Sequence, residues 1–204
     1  VGSQQSAVGS QQSAVDNPLP TAHCPLPTNS PLPTAHCPLP TNSPLPTALP
    51  TIEVLPSDFA GNVASVDRVV AAAPEVYNHN TETVPRLFHV ARDPRTDYRW
   101  TLEMFRRIHC GNPAIAIKTG LMLGLGETTD ELLDTLGELH EAGCRMLTLG
   151  QYLQPSPRQM PVVRYVPPEE FEHLGQLARQ IGFDHVAAGP FVRSSYHARD
   201  MIAE

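Results

Sequence analysis

The chain has 204 residues, with 14 Lys and Arg against 21 Asp and Glu, for a formal net charge of −7. That balance, with its basic residues scattered over Arg86, Arg92, Arg95, Arg99, Arg106 and Arg107, forms no cationic stripe and excludes a nucleic-acid partner. No apolar run reaches the roughly 18 residues of a membrane span, and the N-terminus has neither the pattern of a secretory signal nor the arginines of an organellar transit peptide.

The first 50 residues are low in complexity. VGSQQSA occurs at 1–7 and again at 8–14, PLPTAHCPLPTNS occurs at 18–30 and again at 31–43, and PLPTA begins a further copy at 44. Of the 22 prolines, 11 fall between Pro18 and Pro50, and this stretch has no Lys, Arg or aromatic residue and only Asp16 as an acid. Such a segment cannot bury enough apolar surface to offset its ordering entropy, so a disordered, polyproline-like tail is expected over 1–50. His23, Cys24, His36 and Cys37 could in principle supply metal ligands, but nothing around them is expected to pack. The four cysteines, Cys24, Cys37, Cys110 and Cys144, are too far apart for any C-x-x-C motif and read as reduced thiols of an intracellular chain. Cys110 and Cys144 are expected to be inert and partly buried in helical contexts.

From Thr51 the pattern changes. Residues 51–55 alternate as a strand; 63–73 form a short helix with Asn62 as N-cap; 75–79 read as a second strand. A helix is expected over 81–91, with Pro85 near its start. A clearly amphipathic helix follows over 97–109, with Leu102, Phe105, Ile108 and His109 on one side. Residues 114–123 form a long apolar strand, and 128–142 a helix capped by Thr128 and ended by Gly143. A strand at 145–151, a helix at 168–181 ended by Gly182, and a strand at 185–192 complete the series. Buried-looking strands alternating with helices imply a parallel α/β sheet of about five strands, either open or part of a barrel. In both, chemistry gathers at the C-terminal strand ends.

Those ends carry Asp58; Asn78, His79, Asn80 and Glu82; Gly124, Gly126 and Glu127; Gln151, Tyr152 and Gln154; and Arg193, Ser194, Ser195 and His197. Their convergence would build a mouth for a polar ligand. Turn chemistry explains some of them locally: Asn78 and Asn80 suit turns, and Glu127 suits a helix N-terminus. Gly124-x-Gly126 lacks the third glycine of a dinucleotide fingerprint and the lysine of a P-loop. Lys118 lies within an apolar strand, where a lysine is costly unless it is paired or faces the mouth. His79 reads as a satisfied core histidine. No nucleophile–base pair stands out except Ser195 with His197, the basis of an alternative reading as a hydrolase-like α/β enzyme.

Five strings, YNHNTETVPRL (77–87), DYRWTLEMF (97–105), KTGLMLGLGET (118–128), MLTLGQYLQPS (146–156) and GPFVRSSYHA (189–198), resemble the C-terminal half of the lipoyl synthase family in order and spacing. The resemblance covers about 52–198. It implies an incomplete partial (βα)6 TIM-type barrel over 51–204 and a radical S-adenosylmethionine sulfurtransferase. That family inserts sulfur at C6 and C8 of an octanoyl chain carried on a lipoyl carrier domain, either a lipoyl domain of a 2-oxoacid dehydrogenase or the glycine-cleavage H protein. It implies S-adenosylmethionine and two 4Fe–4S clusters as cofactors. A serine of the R-S-S-Y-H motif ligates the auxiliary cluster, which maps to Ser195 as a metal ligand. Gly120-x-Met122-x-Gly124-x-x-Glu127 resembles the adenine-supporting motif of radical enzymes. Asn78, Asn80, Glu82 and Lys118 then fall to S-adenosylmethionine, and Gln151 lies near that ligand or the acyl channel; no residue is assigned as catalytic.

The departures matter equally. Neither family cysteine triplet, C-x4-C-x5-C or C-x3-C-x2-C, occurs in these 204 residues, and clusters need thiolates. Pro157-Arg158-Gln159-Met160 also departs from the more basic family pattern. The strands that would cover the first edge are missing, so 52–55 is expected as an aggregation-prone edge. The chain is therefore expected to be inactive alone. The alternatives are a non-catalytic binding module for lipoyl carrier domains and an incorrectly assembled reading frame. Its expected location is the cytoplasm, or a mitochondrion or plastid in a eukaryote.

Overall fold

The computed structural model describes residues 51–195; the repeats at 1–50 and His197 lie outside them. Five strands, β1 (Glu53–Val54), β2 (Val76–Asn78), β3 (Ala116–Leu123), β4 (Met146–Gln151) and β5 (His185–Gly189), form one sheet in the order β1-β2-β3-β4-β5. Every neighbouring pair is parallel. Between the strands run α1 (Val63–Ala72), α2 (Pro85–Ala91), α3 (Tyr98–Gly111), α4 (Thr129–Glu141) and α5 (Pro168–Ile181). A strand order that never reverses has no switch point, so the sheet is not doubly wound. Successive right-handed crossovers put all the helices on one side, as in an incomplete barrel.

The register separates two faces. Tyr77, Ile117, Leu121, Leu123, Leu147 and Leu149 face the helices and pack with Val66, Phe88, Phe105, Ile108, Leu136 and Phe171 in the main core. The opposite face carries Glu53, paired with Val76, and Lys118, paired with both Asn78 and Met146. Its apolar part is a separate, small cluster of Val76 and Met146 with Ala116 and Ala187. This face is the inner wall of the barrel. A single polar residue in an apolar strand such as β3 therefore does not disturb the core, because Lys118 lies on the side away from it.

Local signals set most helix starts. Thr128 and Glu131 form a reciprocal capping box on α4, Asp97 accepts from the Arg99 amide at α3, and Asn62 accepts from the Ser65 amide at α1. The expected helix at 81–91 begins only at Pro85, which occupies its first turn. The preceding residues are held out of the helix instead, because Glu82 bridges Leu121: its amide donates to the Gly120 carbonyl at 2.9 Å and its carbonyl accepts from the Met122 amide at 2.8 Å. The other strands and helices match the expected positions, with shorter ends: β1 keeps only Glu53–Val54, and β5 stops at Gly189. Three side-chain expectations fail. His109 is exposed, and Thr101 and Met104 fill the buried face of α3 in its place. Cys110 is exposed rather than partly buried. Cys144 lies outside any helix, in the turn before β4. It is fully buried, its thiol pushed up to about 12 by that burial while donating to the Ile117 carbonyl at 3.3 Å. Among the described residues no helix is long and apolar enough to cross a membrane.

Candidate functional site

A cavity of about 170 Å³ opens at the C-terminal strand ends, lined by Asn80 and Glu82 after β2, Gly120 and Met122 of β3, Thr148, Gly150 and Gln151 of β4, and Val192–Ser194 after β5. Two glycines let its walls meet. A Cβ on Gly120 would lie 2.7 Å from Thr148 Oγ1 and 3.0 Å from Asn80 Oδ1, and one on Gly150 would collide with the Val192 carbonyl.

Its most unusual stretch is the connection from β2 to α2. Asn78 Oδ1, His79 Nε2, Asn80 Oδ1 and Thr83 Oγ1 are buried without a partner within the described residues. Buried polar atoms are nearly always paired, and of these four the Asn80 oxygen belongs to a residue that lines the cavity. Glu82 adds backbone strain, with φ +73 in a non-glycine residue, the kind of distortion that collects at binding sites. Burial pushes its carboxyl above the ordinary carboxylate value, against the pull of the nearby Arg92 guanidinium. Arg92 donates to the Asn80 carbonyl at 2.7 Å while lying 5.3 Å over the Phe88 ring, so the strained segment is clamped from α2.

The remaining expected residues occupy distinct positions. Lys118 is fully buried on the inner face, below Gly120, and does not line the cavity. Its Nζ donates to both oxygens of Glu53, at 3.1 and 3.2 Å, and Asn78 Nδ2 donates to the same carboxylate at 2.7 Å. Glu127 turns back on its own loop: its oxygens accept from the Gly124 and Leu125 amides at 2.7 and 2.9 Å, fixing the turn that follows β3. The Gln151 amide clasps the loop after β4, donating to the Tyr152 and Arg164 carbonyls and accepting from the Val166 amide at 2.9 Å. Ser195 is exposed, one residue beyond the lining. Thus Asn80, Glu82 and Gln151 meet at the cavity, Asn78 and Lys118 share a carboxylate beneath it, and Glu127 and Ser195 stand apart. Arg193, expected at the mouth, lines the cavity, whereas Arg92 and Thr148 were missed. Of these two only Arg92 had a signal, as an isolated cation flanking a strand-end loop.

No protein-family model matches the chain. It is 56% identical over 151 residues to the lipoyl synthase of Rhodopirellula baltica, a match covering 74% of this chain and 48% of the relative. Identity is 53% over 148 residues to that of Aeromonas hydrophila, covering 72% and 46%, and 53% over 154 residues to that of Methylococcus capsulatus, covering 75% and 48%. The chain belongs to the lipoyl synthase family. It spans about half the length of the curated relatives it matches.

Lipoyl synthases form a sulfurtransferase family, and the cofactors implied above can be tested against these side chains. Among the described residues no three His, Cys, Asp or Glu converge on a metal position. Cys110 is on the surface of α3 and Cys144 is sealed behind the sheet, so neither can join Ser195 in holding iron. An iron–sulfur cluster therefore does not fit the described residues. A polar organic ligand fits better: the cavity offers the unpaired Asn80 oxygen and the Glu82 carboxyl. Its volume falls below the roughly 300–1,000 Å³ of a complete ligand pocket, so it is one wall of a site.

Two outcomes follow from this geometry. Gly124 has φ +97, and a Cβ there would run into the Arg164 carbonyl and the Gln151 amide. Gly124→Ala is expected to cost about 2 kcal/mol and to make the 152–167 loop the first site of limited proteolysis. His79 is held below its ordinary value of 6.5, first by burial, then by Arg92, with the Pro56 carbonyl opposing. Its neutral form is favoured in the fold, so its contribution is complete above pH 6.5 and is lost as pH falls below that value towards the lowered one. His79→Gln should flatten the acid limb of stability against pH below 6.5, measured by urea unfolding at a series of pH values.

Proposed function

We propose that residues 51–204 are the C-terminal wall of a lipoyl synthase, an enzyme that inserts sulfur at C6 and C8 of an octanoyl chain carried by a lipoyl carrier domain. The supporting observation is the strand-end cavity, where the orphaned Asn80 oxygen and the strained Glu82 sit in a chain 56% identical to a lipoyl synthase. S-adenosylmethionine, when bound, supplies the radical chemistry of this family. On this reading Asn80 and Glu82 hydrogen-bond its polar part. Arg92 holds the Asn80 backbone. Gln151 and Glu127 keep the adjoining loops in place, while Lys118 and Asn78 fix β1 through Glu53. Ser195 is the iron ligand carried over from the family, its companion thiolates lying outside these residues. The partner is an octanoylated lipoyl carrier domain, and the proposed location is the cytoplasm.

These 204 residues hold four cysteines and neither triplet. The chain by itself is accordingly proposed to assemble no cluster and to be inactive, serving at most to bind. Anaerobic reconstitution of the purified chain with iron and sulfide tests this: the expected visible spectrum has no cluster charge-transfer band, and a stable band at one cluster per chain would overturn it.

A further inference from the structure

The side chains of the β2–α2 connection alternate. Asn80 and Glu82 line the cavity, while Thr81 and Thr83 are buried at 0% and 1% exposure. Which pair faces the cavity is a matter of register, and a shift of one residue would exchange the two. Backbone pairing to β3 holds the ends of the stretch: the His79 amide donates to the Lys118 carbonyl at 3.0 Å, and Glu82 is tied to Gly120 and Met122. Between those ties Arg92 takes the Asn80 carbonyl, and a single side chain, that of Thr119 in β3, takes the groups on either side of it.

The Thr119 hydroxyl has one hydrogen to donate and two lone pairs with which to accept. Its hydrogen goes to the His79 carbonyl at 2.9 Å. It accepts from the Thr81 amide at 3.2 Å and, its own hydrogen being committed, from the Thr81 hydroxyl at 2.9 Å. The hydroxyl is thus saturated by the two residues that flank Asn80. The Thr119 carbonyl accepts from the hydroxyl of Thr148, which also lines the cavity, at 3.4 Å. By strand alternation Thr119 shares the core-facing side of Ile117 and Leu121, where a polar group is costly unless fully paired. Thr81 and Thr119 have no solvent exposure, so further chain packed against this fold finds no surface of theirs to cover.

We propose that Thr119 is a positioning residue of the site: its buried hydroxyl sets which side chains of residues 79–83 face the cavity, and so aims Asn80 and Glu82 at the ligand while remaining outside the lining itself. The proposal rests on the reading of Asn80 and Glu82 as contacts of S-adenosylmethionine and adds the group that points them.

Thr119→Val keeps the shape and removes the hydroxyl, leaving the His79 carbonyl and both Thr81 donors without this partner. Thr119→Ser keeps the hydroxyl. In the full 204-residue chain, carbon-13 carboxyl resonances follow the Glu82 titration and calorimetry follows binding of S-adenosylmethionine. In Thr119→Val the Glu82 carboxyl should fall from its raised value towards the ordinary 4.5, and S-adenosylmethionine should bind about tenfold more weakly. Thr119→Ser should restore both. Thr135→Val, which removes a buried hydroxyl that donates to the Glu131 carbonyl in α4, should lower the urea midpoint and move neither readout. Should Thr119→Val not fold, Thr81→Val carries the test, because it breaks one of the same bonds and should displace the Glu82 titration in the same direction. An unmoved titration in whichever of these two variants folds, an equal displacement in Thr119→Ser, or a displaced titration with unchanged S-adenosylmethionine affinity would overturn the positioning role. A displaced titration with no S-adenosylmethionine binding by any form, wild type included, would overturn the reading of Asn80 and Glu82 as its contacts and leave the hydroxyl's control of the connection standing.

Discussion

Lys118→Ala is expected to lower the unfolding free energy by about 2–4 kcal/mol, somewhat less than the loss of one partner from a fully buried ion pair. The lysine is fully buried, while the Glu53 side chain keeps 20% exposure, which moderates the cost. Removing the ammonium leaves that carboxylate held only by the Asn78 amide, on an inner face whose apolar cluster is Val76 and Met146 with Ala116 and Ala187. Because β1 has only two residues, Glu53 is a principal tie between the first strand and the sheet, and its loss should also release the 51–55 segment. The double variant Lys118→Met with Glu53→Leu should recover most of the loss, since replacing a buried pair by apolar groups is often neutral or better. Urea denaturation measures both, and an unchanged midpoint for Lys118→Ala would remove the pair from the account of how β1 is held.

Phe105→Ala should cost about 3–5 kcal/mol, the range for emptying a closed aromatic site. The ring has no solvent exposure and meets the His79 ring edge-on, with centroids 6.4 Å apart. It therefore supports both α3 and the strained connection that borders the cavity. Amide exchange over 79–83 is expected to accelerate more than exchange in α5, which does not depend on this contact. Phe105→Leu, which keeps most of the volume, should cost well under half as much.

What the sequence disclosed followed how local each signal is. Thr128 with Glu131, Asp97, and the helix-ending Gly182 act within a few positions, so the starts of α3 and α4 and the end of α5 were legible. The start of α2 was not, because Glu82 is drawn into the sheet by Gly120 and Met122, nearly forty positions away. Lys118 was recognised as out of place in β3, but its partner is 65 residues distant, and pairing at that range leaves no local trace. Glu127 and Gln151 sit at strand ends as expected, yet their side chains are spent on neighbouring backbone. A residue's position at a strand end does not tell whether its polar atoms remain free. His79 shows the converse: buried as expected, it keeps an orphaned Nε2 that no periodicity could signal.

Residues 51–204 are proposed to form one wall of a lipoyl synthase, and the cluster triplets of that family are not among these 204 residues. The direct measurement is a chimera in which residues 51–204 replace the matching stretch of the Rhodopirellula baltica enzyme, assayed by mass spectrometry for conversion of an octanoylated lipoyl domain to the lipoylated form. Conversion is expected, and Glu82→Ala in the same chimera should abolish most of it while both clusters persist in the spectrum. A soluble chimera that carries both clusters, binds the octanoylated domain and yields no lipoylated product would contradict the account.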